Sequence, residues 1–553
     1  MSNNQKTTAK HYDSSSFNSK LIKNSLRLLF ILTISVCLLI GFLLTPWGAK
    51  AVVNTANNLV GELTVEYQSG GIGSELYLSS ITWQQQGTQV DINDLRLSLR
   101  LSCVWRLAFC IDSIAATKTF VQLKPTGTSA SKESTNPVFT LPFPISIQKL
   151  SFSDFALQIQ DTLDIRWQQL TGKLDFHQNL RLDDMQIDGF KLTTFAADES
   201  NVSAYVETFD WAKWQYKPIA PLPIILPIHF EMIAINLTPA SIHLAGQPAL
   251  YIQNVSLKAK GDKETLQLDE LVIEHDQGQL LAKGNVQLNG NFEHVFSIDA
   301  KAQLANQPPL KLVLRSSGNF DSVSTQVELT ESNLSASSHA EPLKLTMDFT
   351  AQPSQATLPV NMQLNWQHLA WPLAVPEFHS DNGVVQVSGD LNALKMTVQT
   401  LFAGKNVPDT QVNLNVIASS TAQYKVFELS EFILETLDGQ VLSQGRLTFS
   451  EYIDWQGSSI VKHIDPSAFW PQWVADINGD FATQANNSQG VWQAKLENLD
   501  INGQWQGYPL SVTGEVDIHQ NDGLQIQNLS LKNADNSVLL NGVLSKQQAV
   551  NIG

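Results

Sequence analysis

A chain of 553 residues is too long for one compact core, so several domains or an elongated repeat are expected. Hydrophobic residues make up 43% and charged residues only 16%, with a formal net charge of −17 at pH 7. That balance argues against nucleic-acid binding, which needs positive surface to neutralise phosphates, and the abundance of strand formers with Gln, Asn, Ser and Thr points to an extracytoplasmic β protein.

Residues 1–27 form a basic, polar leader in which Lys6, Lys10, Lys20, Lys23 and Arg27 stand against Asp13 alone. Residues 28–44, LLFILTISVCLLIGFLL, carry no charge. This is close to the lower limit for a spanning helix, which needs about 20 apolar residues, and Trp47 extends it as an interfacial anchor. Basic residues before the run, with Lys50 and then Glu62, Glu66 and Glu75 after it, predict a cytoplasmic N-terminus and a single pass, with the bulk of the chain outside. A cleaved signal peptide ending near Ala49-Lys50-Ala51 is the competing reading; the long leader and long apolar run favour an uncleaved signal anchor. Residues 45–62 place Ala49, Val52, Val53, Ala56 and Val60 on one helical face, predicting a short amphipathic helix along the membrane surface.

From residue 63 to residue 553 the pattern is β. Runs such as Gln411-Val412-Asn413-Leu414-Asn415-Val416 alternate with the two-residue period of a half-buried strand. Gly70-Gly71-Ile72-Gly73 reads as a flexible turn. Thr126–Asn136 reads as a low-complexity linker, and Pro218–Pro227 as a rigid extended connector. No helical pattern alternates with the strands, which disfavours parallel βαβ folds. The expected fold is mostly β: a single N-terminal transmembrane helix, then a long, curled, antiparallel-type β-sheet groove, solenoid-like, with an apolar interior.

Three hairpins carry this expectation. Residues 266–288, 427–449 and 524–545 superpose without gaps, so that Leu266, Phe427 and Leu524 coincide, as do Leu271, Phe432 and Leu529, and Gly284, Gly445 and Gly542. All three change face at one offset, between Leu268 and Leu271, Leu429 and Phe432, and Ile526 and Leu529, which predicts a β-bulge or bend. The shared glycine predicts a further bend or close approach by a neighbour. Each hairpin has one apolar face that it cannot hide alone. Its candidate groove-lining residues are Leu280, Val286 and Leu288, then Val441, Leu447 and Phe449, then Val538, Leu540 and Leu544.

Of three cysteines, Cys37 lies in the apolar N-terminal run. Cys103 and Cys110 are either a disulfide closing a short loop or two buried thiols. No second Cys or His pair stands at ligand spacing, so neither a metal nor a cofactor is expected. Zinc-protease, phosphate-loop and nucleophile-elbow motifs are lacking. Glu274-His275-Asp276 sits at a hairpin turn, where charged side chains are normally solvated. An enzyme is not expected.

The basic leader, the anchor, Thr45-Pro46-Trp47-Gly48, Cys103-Val104-Trp105 with Cys110, Trp366 with Trp371-Pro372, Asp465-Pro466 with Phe469-Trp470-Pro471-Gln472-Trp473, and the three hairpins together resemble the TamB family, and more distantly the wider AsmA-like group of bridge-like lipid transfer proteins. The resemblance implies a Gram-negative inner-membrane protein whose bulk crosses the periplasm as a curled, apolar-lined sheet. It implies work with the outer-membrane barrel TamA, within the translocation and assembly module. It also implies a part in outer-membrane biogenesis, through phospholipid movement between membranes or through assembly of outer-membrane proteins such as autotransporters. Family members are longer and close with a region that meets the barrel. A chain stopping at Val550-Asn551-Ile552-Gly553 therefore implies a fragment or shortened product, with TamA met through a region absent here. Three roles follow as expectations: a phospholipid conduit, a scaffold that accepts client strands, or a structural tether.

Overall fold

The computed structural model describes residues 30–544 except 86, 124–142, 160–161, 196–215, 227, 304–306, 332–341, 374, 421–424, 451, 489 and 522. The basic leader, the first two residues of the apolar run and Thr126–Asn136 lie outside the described residues. The protein is mostly β and divides into two units: residues 1–197 with 230–251, and residues 198–229 with 252–553.

The first unit opens with helices α1 (Phe30–Leu43) and α2 (Pro46–Leu59), which meet at 85°. No single helix among the described residues is long and apolar enough to cross a membrane, although this bent pair together has the length and composition. α1 is apolar all round and exposed, as at Phe30, Leu32 and Leu38, the character of a helix made for an apolar surround. The corner is built by Thr45-Pro46-Trp47-Gly48. Thr45 caps α2 by accepting from the Gly48 N–H at 3.2 Å, and Pro46 stands at the first helical position, where a missing N–H costs nothing. Gly48 is obligatory, because a Cβ there would overlap the backbone of Phe42 and Leu43.

The strands that follow are β1 (Leu63–Gly70), β2 (Glu75–Gln85), β3 (Thr88–Leu99), β4 (Phe109–Ala116), β5 (Lys118–Leu123) and β6 (Ile145–Ile159). Then come β7 (Leu163–Phe176), β8 (Asn179–Asp188), β9 (Phe190–Thr194), β10 (His229–Leu237) and β11 (Ala240–His243), with β12 (Leu250–Ile252) at the boundary of the units. β1, β2 and β3 form an antiparallel run. β4 and β5 are one strand interrupted at Thr117, antiparallel to β3 and parallel to β6. β11 likewise runs parallel to β9. The expected antiparallel-type sheet is therefore mixed here. Ile145 pairs with Phe109, so β6 starts beside the start of β4 and not beside the end of β5. Apolar alternation sets which face is buried but carries no strand direction, which is why the sequence left this hidden.

This unit has packed interiors. Val53, Leu78, Leu95 and Ala116 form one cluster, and Leu150, Leu170 and Met185 a second. The helical face predicted on α2 divides accordingly. Ala49 and Val53 are buried, with Val53 in the first cluster, whereas Val52 and Val60 stay exposed. Asn57 fixes the helix by donating to the Val65 carbonyl and accepting from its N–H, both at 2.8 Å. The glycine-rich turn between β1 and β2 braces the corner: the Gly73 N–H donates to the Leu44 carbonyl at 3.1 Å, and a Cβ at Gly71 would crowd Leu44 and Thr45. Cys103, in a 3-10 turn, is disulfide-bonded to Cys110 at the start of β4, with Cα atoms 5.9 Å apart.

The second unit is a meander of β13 (Asn254–Gly261), β14 (Thr265–His275), β15 (Gly278–Gln287), β16 (His294–Ala302), β17 (Leu310–Asn319), β18 (Ser322–Glu331), β19 (Lys344–Ala351) and β20 (Val360–Trp371). It continues as β21 (Phe378–Asp390), β22 (Ala393–Gly404), β23 (Val407–Ser420), β24 (Lys425–Thr436), β25 (Gly439–Phe449) and β26 (Ile453–Ile464). β27 (Ala475–Ser488), β28 (Val491–Trp505), β29 (Tyr508–His519), β30 (Gly523–Asn533) and β31 (Asn536–Leu544) complete it. Every strand pairs antiparallel with the next, and β31 has no second partner among the described residues, so the sheet is not a barrel. At ~4.8 Å per strand, the path from β13 to β31 covers on the order of 85 Å.

The three predicted changes of face are register shifts at Leu268/Leu271, Leu429/Phe432 and Ile526/Leu529. The turn of the middle hairpin, Leu437-Asp438, has both residues at positive φ, the backbone of a tight two-residue connection. The described part of the Pro-rich connector is extended and also makes backbone contacts of its own. It crosses hairpin ends, with the Ile224 N–H on the Leu288 carbonyl at 2.8 Å and the Ile219 N–H on the Pro353 carbonyl at 2.9 Å, which the hydroxyl of the preceding Tyr216 also reaches at 2.6 Å.

Candidate functional site

Residues that face one another in an antiparallel ladder lie on the same side of the sheet, so the register lets one face be followed from strand to strand. Starting at Ile273 on β14, the partners run Leu280, Ala300, Leu312, Leu329, Leu345, Trp366, Gly383 and Thr400. The same row continues through Val412, Leu434, Val441, Val461, Gly479, Ile501, Val512 and Leu531 to Val538 on β31. It crosses every strand from β14 to β31 without one charged side chain. A second row, from Leu257 through Leu271, Ala282, Ile298, Leu314, Val327, Met347, Leu364, Val385, Val398 and Leu414 to Phe432, is wholly apolar. The opposite face carries most of the charges, including the Lys258–Glu270 pair at 2.8 Å, while Lys425 and Glu331 stand at strand ends on the apolar side, opposite Phe449 and Leu310.

Eight of the nine sequence-predicted residues share this face, and Leu288 lies just past the end of β15. Leu280, Val441 and Val538 stand in one row, although the first and last are more than 250 residues apart in sequence. Val286 pairs with Leu266, Leu447 with Phe427 and Leu544 with Leu524, the same position in each hairpin. Phe449 meets the Phe427 ring edge-on at 5.7 Å. Leu540 and Leu544 are 46% and 38% exposed, whereas Leu288 is only 6% exposed and its carbonyl accepts the Ile224 N–H of the Pro-rich segment.

Polar side chains interrupting the rows bond to one another. His294, Ser316 and Thr325 form a chain at 3.2 and 3.0 Å, and Ser443 and Ser459 pair at 2.8 Å. The Trp366 indole N–H donates to Ser380 at 2.7 Å, while the Ser380 and Thr400 hydroxyls reach the Asn382 carbonyl. The Trp455 indole N–H donates to Thr483 at 3.0 Å. With these donors engaged inside the wall, the face has little to offer a polar guest.

Large aromatic rings lie low on this face. A Cβ at Gly284 would overlap the Phe296 ring, one at Gly383 the Trp366 ring, and one at Gly445 or Gly457 the Trp455 ring. The predicted close approach at the shared glycine thus occurs in two hairpins. In the third, Gly542 has nothing within 4 Å. Sequence reasoning missed the rings as lining residues. The available signal was a glycine two strand positions from a tryptophan, in Trp455-Gln456-Gly457.

The turn triad is spent on hairpin geometry. Glu274 accepts from Asn254 at 3.3 Å, His275 Nδ1 accepts the Gln277 N–H at 3.0 Å, and Asp276 accepts from Gln253. No group of three His, Cys, Asp or Glu side chains among the described residues could hold a metal ion.

The model of the TamB N-terminal domain matches residues 35–553. The chain belongs to the TamB family. It is similar to the translocation and assembly module subunit TamB of Haemophilus influenzae, at 23% identity over 534 residues, which cover 90% of this chain and 40% of that relative. The chain thus spans about 40% of the length of that curated relative. No solved structure matches.

Proposed function

We propose that this chain, anchored in the inner membrane by residues 28–44, conducts phospholipids between the inner and outer membranes along the apolar face of its second unit, and so serves outer-membrane biogenesis. The observation that carries this reading is the row from Ile273 to Val538, free of charge across eighteen consecutive strands. Its neighbouring hydroxyls and indoles are engaged with each other. A polypeptide laid on that face would bury its own N–H and C=O groups without partners, at roughly 1–3 kcal/mol each. An acyl chain has no such groups and gains about 0.8 kcal/mol per methylene removed from water. The contact is non-directional, so a lipid can slide without being trapped while its headgroup stays in solvent.

The Haemophilus relative is named a subunit of a translocation and assembly module. By that likeness a TamA-like outer-membrane barrel is the proposed partner. The alternatives are a scaffold for insertion of outer-membrane proteins and a structural tether. Photoreactive residues at Leu280, Val441 and Val538 separate them: the conduit predicts phospholipid adducts at all three positions. Polypeptide adducts instead would establish the scaffold, and no adduct at any of them would leave the tether.

A further inference from the structure

We infer that the aromatic side chains lying over glycine are clearance-setting positions that decide how many acyl chains the lining admits at once. This rests on the lipid-conduit reading and names its selectivity. The plates occur at the β15/β16 pair (Phe296 over Gly284), the β20/β21 pair (Trp366 over Gly383) and the β25/β26 pair (Trp455 over Gly445 and Gly457). They are therefore five strands apart, about 24 Å at ~4.8 Å per strand.

Strand side chains ordinarily stand roughly perpendicular to the sheet. A tryptophan held that way on the apolar face would be its tallest obstacle. Here the paired strand presents glycine, so the ring can fall flat onto backbone. The indole N–H then locks the orientation from the side, Trp366 on Ser380 at 2.7 Å and Trp455 on Thr483 at 3.0 Å. Large side chains of the face thereby lie over glycine backbone, and the indoles' only donors point into the wall. A tail of about 15 Å, half the thickness of a bilayer's hydrocarbon, is shorter than the interval, so it crosses one plate at a time. Each plate is then a separate checkpoint for a two-chain lipid, whereas a one-chain lipid needs less room.

The test uses the full chain in detergent, exposed to equimolar dioleoyl phosphatidylcholine and its one-chain lyso derivative, with bound lipid counted by native mass spectrometry. Gly383→Val and Gly445→Val each add a branch where the ring now rests. They are expected to lower bound two-chain lipid at least threefold while lysolipid falls less than twofold. Gly542→Val, where nothing lies within 4 Å, is expected to match the wild type. Valine suits a strand, so a loss at Gly383 traces to the ring and not to the backbone. Removing the ring in the double variant Trp366→Ala with Gly383→Val is expected to restore two-chain lipid. Wild-type lipid ratios in Gly383→Val and Gly445→Val, or no recovery in the double variant, would overturn the inference and leave the conduit standing. A wild-type chain that holds neither lipid would remove the conduit and the inference together.

Discussion

The two units share strand patterning and differ in what their apolar faces meet. In the first, Val53 of α2 is packed with Leu78, Leu95 and Ala116, and Leu150, Leu170 and Met185 close a second interior. In the second, nineteen strands line up apolar rows, yet no cluster of buried residues forms among those described, and Phe296, Phe427 and Leu540 keep 37–46% of their surface. The lesson is that an alternating strand announces one apolar face but not its cover. Near α1 and α2 the cover is protein. Along the meander no buried cluster closes over the face among the described residues, and the internal pairing of hydroxyls and indoles suits that face to a partner with no polar groups.

The contrast can be broken by matched truncations. Leu170→Ala, in a sealed interior, is expected to cost about 2–5 kcal/mol, while Leu364→Ala, half-buried on the open face, costs less than about 1.5 kcal/mol because the side chain has less to lose. Urea unfolding followed by hydrogen exchange in each unit measures both, and equal losses would mean that the second unit is packed like the first.

A smaller effect tests how the first unit is fixed to its helices. Gly71→Val pushes a side chain into the backbone of Leu44 and Thr45 and is expected to cost about 1–3 kcal/mol. The signature is faster exchange of the Gly73 amide, which now donates to the Leu44 carbonyl. Unchanged exchange would show that the glycine turn does not brace the corner.

The smallest effect is a pH dependence confined to one loop of the second unit. Asp465 accepts the backbone N–H groups of Ala475 (3.0 Å) and Ser467 (2.9 Å), which hold its carboxyl below the usual range. A depressed folded-state pKa contributes stability above the unfolded value and loses it as the pH falls through the folded one. Protection of the Ala475 amide should therefore hold at neutral pH and fade below about pH 4. Asp465→Ala should lack it throughout, and a flat profile in the wild type would refute the assignment.

Much of the second unit was legible because its signals are local. Alternation gave the faces, a shared offset gave the bulges at Leu268/Leu271, Leu429/Phe432 and Ile526/Leu529, and matched positions put Leu280, Val441 and Val538 in one row. What stayed hidden depends on contacts between distant segments. Nothing near Ile145 announces that β6 will lie parallel to β4, and Gly71 and Gly73 read as a loose turn until Leu44 is placed against them. The Pro-rich segment reads as a spacer, but its backbone N–H groups at Ile219 and Ile224 tie it to Pro353 and Leu288. The aromatic plates need ring and glycine on the same face, and for Phe296 and Trp366 the two stand on different strands.

The most direct test of the central claim is native mass spectrometry of the full chain, purified in mild detergent, beside the triple variant Val286→Asp, Leu447→Asp, Leu544→Asp. An open, continuous lining predicts phospholipid-mass adducts on the wild type and their loss from the variant, with the first unit still folded. A lipid-free wild type, or adducts that survive three charges on the apolar face, would contradict it.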